Sequence, residues 1–507
     1  MRDLGGAAQG SFEGVVNPKR GVIGMQALTT AKSPGVRLTR WAGGAMAVVV
    51  LLGLGWLLWS VSRTFEPTLL QRLRALMTAI SVPVLLLWSH NRERMVGRLR
   101  KLSWAIVLTI IVAFGAGTAM ILYRNLQQPP VWDFLSFWLN GQVAIRGLNF
   151  YQPAHYQMVS LPIPPGPTFT AEILEVGFWY PPPSMILFMP LGLFDIRTGL
   201  IVWYAAQGAS LAMCILLIWK AYFGRTNLAG LVLASAFVAV MAGTLTTLEF
   251  AQTNFLALLM VLLFWLDRGR KRGGMWLVIG AIVKPFLLLL VLVPILRKNV
   301  QVLLGAFMTL VVVCVLTIGL FGVETTRSYF TDNPTSRLAG FIYTEVSNQS
   351  LLATVLRLDP AGITGKPGLG YPLYIGLVIL MTGLTCWLVS SLRGDSSEWG
   401  IGLVLMLALV VYPASQFFYS VLLVVPLMML WEKRDVIAIG AWGAGALITV
   451  VYVLAVFPGY VFVANLLLWT ALAGFVAWST LKGKPALAEL RGGFETASMR
   501  QRSGSRA

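Results

Sequence analysis

From residue 41 to residue 480 the chain repeats one pattern: apolar runs, many of them near twenty residues and continuous in Leu, Val, Ile and Ala, separated by short polar punctuation. A helix of roughly twenty apolar residues crosses the ~30 Å hydrocarbon layer and satisfies its own backbone while doing so. The alternating ten-residue segments of a membrane barrel are absent. The pattern therefore predicts an all-α fold, a polytopic transmembrane helical bundle of about 11–14 membrane helices.

Basic clusters orient the spans. "HNRERMVGRLRK" at 90–101, "DRGRKR" at 267–272, "RK" at 297–298 and "WEKRD" at 431–435 lie between apolar runs, and the positive-inside rule reads them as cytoplasmic loops. Two spans, 41–61 and one ending near residue 89, precede the first cluster, and a third from 102 to 123 carries the chain out again. Residues 124–183 then face outside. This loop is rich in Pro, Trp, Tyr and Phe, and a loop of that length between membrane helices is functional by default. Within it "FLSFWLNGQVAIRG" has helical apolar spacing, which suits a helix lying at the interface, and "WYPPP" stiffens the chain before it re-enters. The following run, 184–194, is too short for a full crossing and is interrupted by Pro190.

Further spans are expected at about 200–219, 228–247, 250–266, 300–321, 371–392, 400–413, 415–431, 436–457 and 461–480. The run 275–296 has basic clusters at both ends and Lys284-Pro285 in its middle, so it reads as two half-helices that meet at the Lys-Pro step. Counting back from the C-terminus places 322–370 outside as well, facing the same compartment as 124–183.

Composition agrees with this reading. Of 507 residues 57% are hydrophobic and 12% charged, with mean hydropathy +0.76, far from the ~25% charged residues of soluble chains. The net charge of +19 sits in the loop clusters, where it suits anionic lipid headgroups and gives no nucleic-acid surface. Cys214, Cys314 and Cys386 fall inside apolar runs and read as buried thiols with no disulfide framework. Residues 1–40 and 482–507 read as cytoplasmic tails.

The candidate chemistry lies on the outer side. Asp133 stands among aromatic residues where the chain leaves the membrane. It is either a helix cap or a carboxylate whose pKa is raised by desolvation, suited to act as a general base toward a hydroxyl. Lys284, an ammonium in mid-membrane, costs roughly 2.5–3.5 kcal/mol on insertion scales and normally faces a cavity or partner. That partner could be a lipid phosphate, or Glu249 on another helix. "SNQSL", with Asn348, Gln349 and Ser350, and "EFAQTN", with Gln252 and Asn254, could hold sugar or phosphate oxygens or merely cap helices. His155 lies in the outer loop, with no second histidine near enough in the pattern to form a metal cluster. No CxxC, P-loop or HExxH occurs.

The order "DFLSFWLNGQVAIRGLNFYQP", "YPPP", "AQTNFLALLMVLLF", "GAIVKPFLLLLVLVPIL" and "NQSLLATVLRL" resembles glycosyltransferase family 87, of the GT-C class, over roughly residues 104–430. The resemblance implies a catalytic module at 104–430 with outer loops 124–183 and 322–370. Residues 41–103 would be two additional N-terminal helices and 431–481 C-terminal helices. It implies a metal-independent, cofactor-free transferase that moves mannose, or arabinofuranose in some members, from a polyprenyl-phosphate carrier to a glycolipid or envelope polysaccharide. The setting would be the bacterial inner membrane, with the active site toward the periplasm and no obligate protein partner. Asp133 would be the base and Lys284 the donor-phosphate partner. Asn348, Gln349, Ser350, Gln252 and Asn254 would line the donor cavity, with Tyr151, His155, Tyr180, Arg337 and Tyr419 as further cavity residues. Two departures stand out: Ala251 precedes Gln252 where the family often has Gly, and "YPASQFFYS" lacks the histidines common in mannosyl-transferring members. A lipid-linked-sugar flippase, with a broken helix and buried lysine, and a polymerase using Arg337 and Arg357 are the competing readings.

Overall fold

A computed structural model describes residues 97–127, 132–159, 178–223, 228–332, 345, 347–358, 368–392, 397–432, three positions between 447 and 451, and 461–482. The expected tails, the two N-terminal spans before residue 97, the outer-loop stretch 160–177, Arg337 and most of the span at 436–457 lie outside the described residues.

Among the described residues the regular elements are helical. In chain order the principal helices are α1 Gly97–Gln127, α2 Trp132–Ile145, α3 Ile196–Ile218, α4 Leu228–Val240, α5 Ala242–Glu249, α6 Asn254–Leu266 and α7 Lys271–Val283. They are followed by α8 Val300–Thr331, α9 Leu351–Leu358, α10 Gly370–Ser391, α11 Ser397–Val411, α12 Val424–Glu432 and α13 Val461–Lys482. Among the described residues five stretches are long and apolar enough to cross a membrane: Val107–Gln127, Ile196–Tyr222, Val300–Thr331, Gly370–Ser391 and Val461–Trp478. The bent pair α4–α5, folded by 68°, makes a sixth if counted as one span. Asn254–Leu266, Pro285–Leu296, Glu398–Val411 and Phe417–Leu430 are apolar but shorter.

The burial pattern explains the arrangement. Helix α11 is apolar all round and buried from Trp399 to Val411, as such a helix must be. It packs on α10, α13 and the 285–291 segment. By contrast α8 leaves Phe307, Met308, Val311 and Val315 exposed, a face that water would penalise and lipid would not. That face corrects one expectation: of the three thiols only Cys214 is buried, while Cys386 is half-buried and Cys314 is exposed on α8.

Two irregular segments shape the interior. Helix α7 stops at Val283, Lys284 is extended (φ −144°, ψ 108°), and Pro285 opens a 3-10 helix to Val291 before a short helix Leu292–Leu296. Proline lacks the N–H and disfavours helical geometry in the residue before it, so the break falls at the Lys-Pro step, as its sequence predicts. Similarly, 182–193 is a chain of short 3-10 and α turns with Pro190 within it. Gly322 (φ 78°, ψ 163°) bends α8 just beyond the expected end of the span 300–321.

Helix α2 lies directly on the 182–193 segment. A Cβ at Gly141 would stand 2.7 Å from Phe188 O, and one at Gly192 would stand 2.7 Å from Gln142 N. Gln142 Nε2 donates to Gly192 O (2.6 Å) and Trp138 Nε1 to Phe194 O (3.0 Å). Gly192→Ala is expected to push α2 off this seat, since overpacking a fitted contact costs about 1–3 kcal/mol. The purified variant should melt earlier and turn over more slowly; an unchanged melting curve would show that the close approach is not needed.

Candidate functional site

Several elements converge on one buried polar cluster. Helix α2 brings Asp133 in its first turn, where the helix dipole favours an anion. The α5–α6 turn brings Gln252, the Lys-Pro break brings Lys284, the irregular residues 178–180 bring Tyr180, and the 3-10 helix Phe417–Leu423 brings Tyr419.

The placement of Gln252 depends on its neighbour. Helix α5 ends with Gln252 N donating to Thr247 O (2.8 Å) and Ala251 N donating to Leu248 O (3.1 Å). These are the paired bonds of a Schellman motif. The motif requires a left-handed residue between helix and exit, and Ala251 fills it at φ 51°, a conformation that favours glycine. Trp203 Nε1 donates to Ala251 O at 2.6 Å and holds the turn from α3. Ala251→Gly is expected to change stability by less than about 1 kcal/mol, lost chain entropy offsetting relieved strain. Ala251→Val, β-branched in a buried left-handed turn, should cost more than about 2 kcal/mol and displace Gln252. Melting curves and turnover of both variants check this pair; equal tolerance of Val and Gly would discount the turn.

Gln252 joins the two charges. Its Oε1 accepts from Lys284 Nζ at 2.9 Å, which leaves its Nε2 to donate to Asp133, with which it is hydrogen-bonded. Lys284 is 1% exposed. Its ammonium also reaches Tyr180 Oη (3.3 Å) and Tyr419 Oη (3.5 Å) and lies 4.6 Å from the Tyr419 ring centroid. Of these contacts only the one to Gln252 is short, so two of the three ammonium donors are held only by long contacts to phenols.

Although Asp133 keeps some contact with solvent, it is surrounded by enough protein that desolvation raises its pKa to about 6; the Gln252 hydrogen bond and the positive charge of Lys284 pull in the opposite direction. Burial, and next the negative charge of Asp133, hold the Tyr180 phenol well above its usual range, hence neutral. A carboxylate with a raised pKa beside the Lys284 side chain is chemically suited to accept a proton from a hydroxyl.

The remaining candidates are distributed around this cluster. Tyr151 is fully buried and donates to Tyr180 O at 2.7 Å, so it supports the chain that bears Tyr180. His155, half-buried on the 3-10 helix Pro153–Met158, has Nδ1 3.0 Å from Asn149 O. Asn254 Nδ2 bonds Thr247 Oγ1 (3.0 Å) and Phe418 O (3.3 Å), while its buried Oδ1 has no hydrogen-bond partner among the described residues. Asn348 Nδ2 and Ser350 Oγ both donate to Pro413 O, Gln349 N donates to Ser415 O, and Ser350 Oγ accepts from Ala353 N at the start of α9. Gln349 Oε1 accepts from Phe462 N. The Asn-Gln-Ser cluster thereby clamps residues 413–417, which lead directly into the turn bearing Tyr419.

Glu249, the alternative partner for Lys284, instead pairs with Arg124 at 3.1 Å on the surface. Tyr412 was not among the residues expected at the site. Its ring lies 5.3 Å from Phe286, one residue past Pro285, and its phenol bears electrostatically on both Tyr180 and Tyr419. The available signal was a second tyrosine in the same "YPASQFFY" stretch.

A bundle of apolar helices enclosing an aligned carboxylate, amide and ammonium defines an integral membrane protein with a buried polar site. The model of Glycosyltransferase family 87 matches residues 178–413, and this match supports membership of that family and, with it, a membrane glycosyltransferase. The match takes in Tyr180, Gln252, Asn254, Lys284, Arg337 and Asn348–Ser350, whereas Asp133, Tyr151, His155 and Tyr419 lie outside it. Neither the search of curated proteins nor that of solved structures finds a match.

Proposed function

We propose that this glycosyltransferase takes a sugar, mannose in the first instance, from a polyprenyl-phosphate carrier and transfers it with inversion to a glycolipid or envelope glycan on the outer face of a bacterial inner membrane. The observation that carries the reading is the bridge from Asp133 through Gln252 to Lys284. Transfer from a glycosyl phosphate needs a base for the acceptor and a cation for the phosphate that leaves, and it needs no acid at the leaving group.

In this reading Asp133 accepts the proton of the acceptor hydroxyl as its oxygen attacks the anomeric carbon. The anomeric C–O bond breaks and its electron pair leaves with the polyprenyl phosphate. Lys284 faces the charge that develops there. Gln252 holds base and cation in register, and a β-linked carrier sugar yields an α-glycoside. Asn254, Asn348, Gln349 and Ser350 are assigned to the donor side, with Tyr151, His155, Tyr180, Tyr419 and Arg337 around the cavity.

Protein in lipid nanodiscs, given radiolabelled polyprenyl-phosphate mannose and extracted envelope glycolipids, is expected to form one glycoside per polyprenyl phosphate released. Nucleotide-activated mannose should be inert. Transfer from the nucleotide sugar but not from the lipid carrier would overturn the donor assignment.

A further inference from the structure

At the other end of the broken helix lies a second polar feature that the transfer reaction does not use. The chain leaves Lys284 through Pro285–Leu296 and arrives at Arg297, while α7 runs thirteen residues from Lys271 to the same lysine. At 1.5 Å per residue this end of the bundle is on the order of 20 Å from Lys284. Here a cavity of about 230 Å³ opens between α6, the Leu292–Leu296 turn, the start of α8 and α11, lined by Phe264, Arg268, Val293, Pro294, Arg297 and Ile401 beside Asn299.

The lining has two characters. Phe264, Val293, Pro294 and Ile401 make an apolar wall, and Arg268 and Arg297 supply the positive charge of the lining. Arg268 is held in place: its Nη1 donates to Trp265 O (2.9 Å), its guanidinium lies 5.8 Å from the Trp265 ring centroid, and its carbonyl accepts from Asn299 Nδ2 (2.9 Å). Asn299 Oδ1 in turn caps α8 by accepting from Val302 N, so this asparagine fixes the arginine's backbone and is not itself available to a ligand. Glu398 Oε2 forms an ion pair with Arg268 Nη2 at 3.6 Å, a single long contact on one of the guanidinium nitrogens. A guanidinium has five N–H donors, so Arg268 retains capacity for an anion. Arg270, Lys271, Arg272 and Lys298 add positive charge nearby against Asp267 and Glu398.

We infer that this cavity binds the phosphate headgroup of an anionic membrane lipid, with the two arginines on the phosphate and the acyl chain against the apolar wall. A planar, bidentate cation suits a phosphate, and the adjoining Phe264–Ile401 surface suits a chain that a free anion lacks. The inference is independent of the donor and sugar proposed above.

The test is lipid retention by the full-length protein. Wild-type protein is reconstituted in phosphatidylcholine nanodiscs with or without phosphatidylglycerol, extracted, and its bound lipid counted by native mass spectrometry. Wild type is expected to retain phosphatidylglycerol over phosphatidylcholine, and Arg268→Gln/Arg297→Gln to lose that preference by about thirtyfold, the effect of removing two surface cations facing an anionic headgroup. Ile401→Trp, which fills the cavity and keeps both arginines, should also lose it and serves if the double variant does not fold. Inorganic phosphate at matched concentration should fail to displace the lipid; displacement would keep the phosphate chemistry but overturn the lipid as its source. Equal retention of both lipids by wild type, or undiminished preference in both variants, would overturn the site.

Discussion

Asp133→Asn should reduce turnover by between 10² and 10⁴, the usual contribution of a positioned general base, while the protein still folds and still binds donor. Asparagine keeps the shape of the side chain and its place in the first turn of α2, so the seat formed by Gly141 and Gly192 is undisturbed. It loses the ability to take a proton. The pH profile separates this role from a structural one. The carboxyl of Asp133 titrates at about 6 because burial disfavours its ionised form, so wild-type kcat/KM should fall tenfold per pH unit as the pH drops below about 6. The residual rate of the asparagine variant should lack this limb. The linkage has the opposite sign for stability: with its folded pKa above the ordinary carboxylate value of 3.8, ionised Asp133 is a cost to the fold above pH 6, relieved as the pH falls from 6 toward 4. Activity lost on mild acidification should therefore return on neutralisation. An asparagine variant with wild-type turnover, or one with an unchanged acid limb, would remove Asp133 from the role of base.

What could be read in the sequence was whatever depends on short stretches of chain. The break at Lys284-Pro285 follows from a ring and a missing N–H, and the structure puts it there. The short run at 184–194 could not span because it was too short, and it folds as turns. Helix α2 followed from apolar spacing. Pairings between distant segments were less accessible. Glu249 and Lys284 looked like partners by type, yet Glu249 faces Arg124 and the lysine faces Gln252, because only the folded bundle decides which side chain enters which cavity. Ala251 drew notice as a departure from glycine, but its sequence gave no sign that it occupies a left-handed turn on which the aim of Gln252 depends. Cys314 was expected inside because it lies in an apolar run; in a membrane such a run has an apolar outside too.

Lys284→Met should weaken donor binding and move the acid limb upward. The substitution keeps the length and apolar stem of the side chain, so packing against the Tyr180 and Tyr419 rings is largely retained. It removes the shorter of the two hydrogen bonds to Gln252 Oε1, 2.9 Å against 3.4 Å from Thr253 N, and the positive charge that helps keep Asp133 ionised. Two consequences follow from one missing charge. A hydrogen bond to a charged group is worth about 1.5–3 kcal/mol, so the loss of the phosphate partner should raise KM for the lipid-linked donor by roughly 10- to 150-fold. Meanwhile the carboxyl of Asp133, still desolvated and now without its neighbouring cation, should titrate above its wild-type value of about 6. A lysine that served only to fill the cavity would alter thermal stability but leave the limb where it was. A methionine variant that binds donor as wild type does and keeps its acid limb near 6 would show that the ammonium acts on neither the phosphate nor the base.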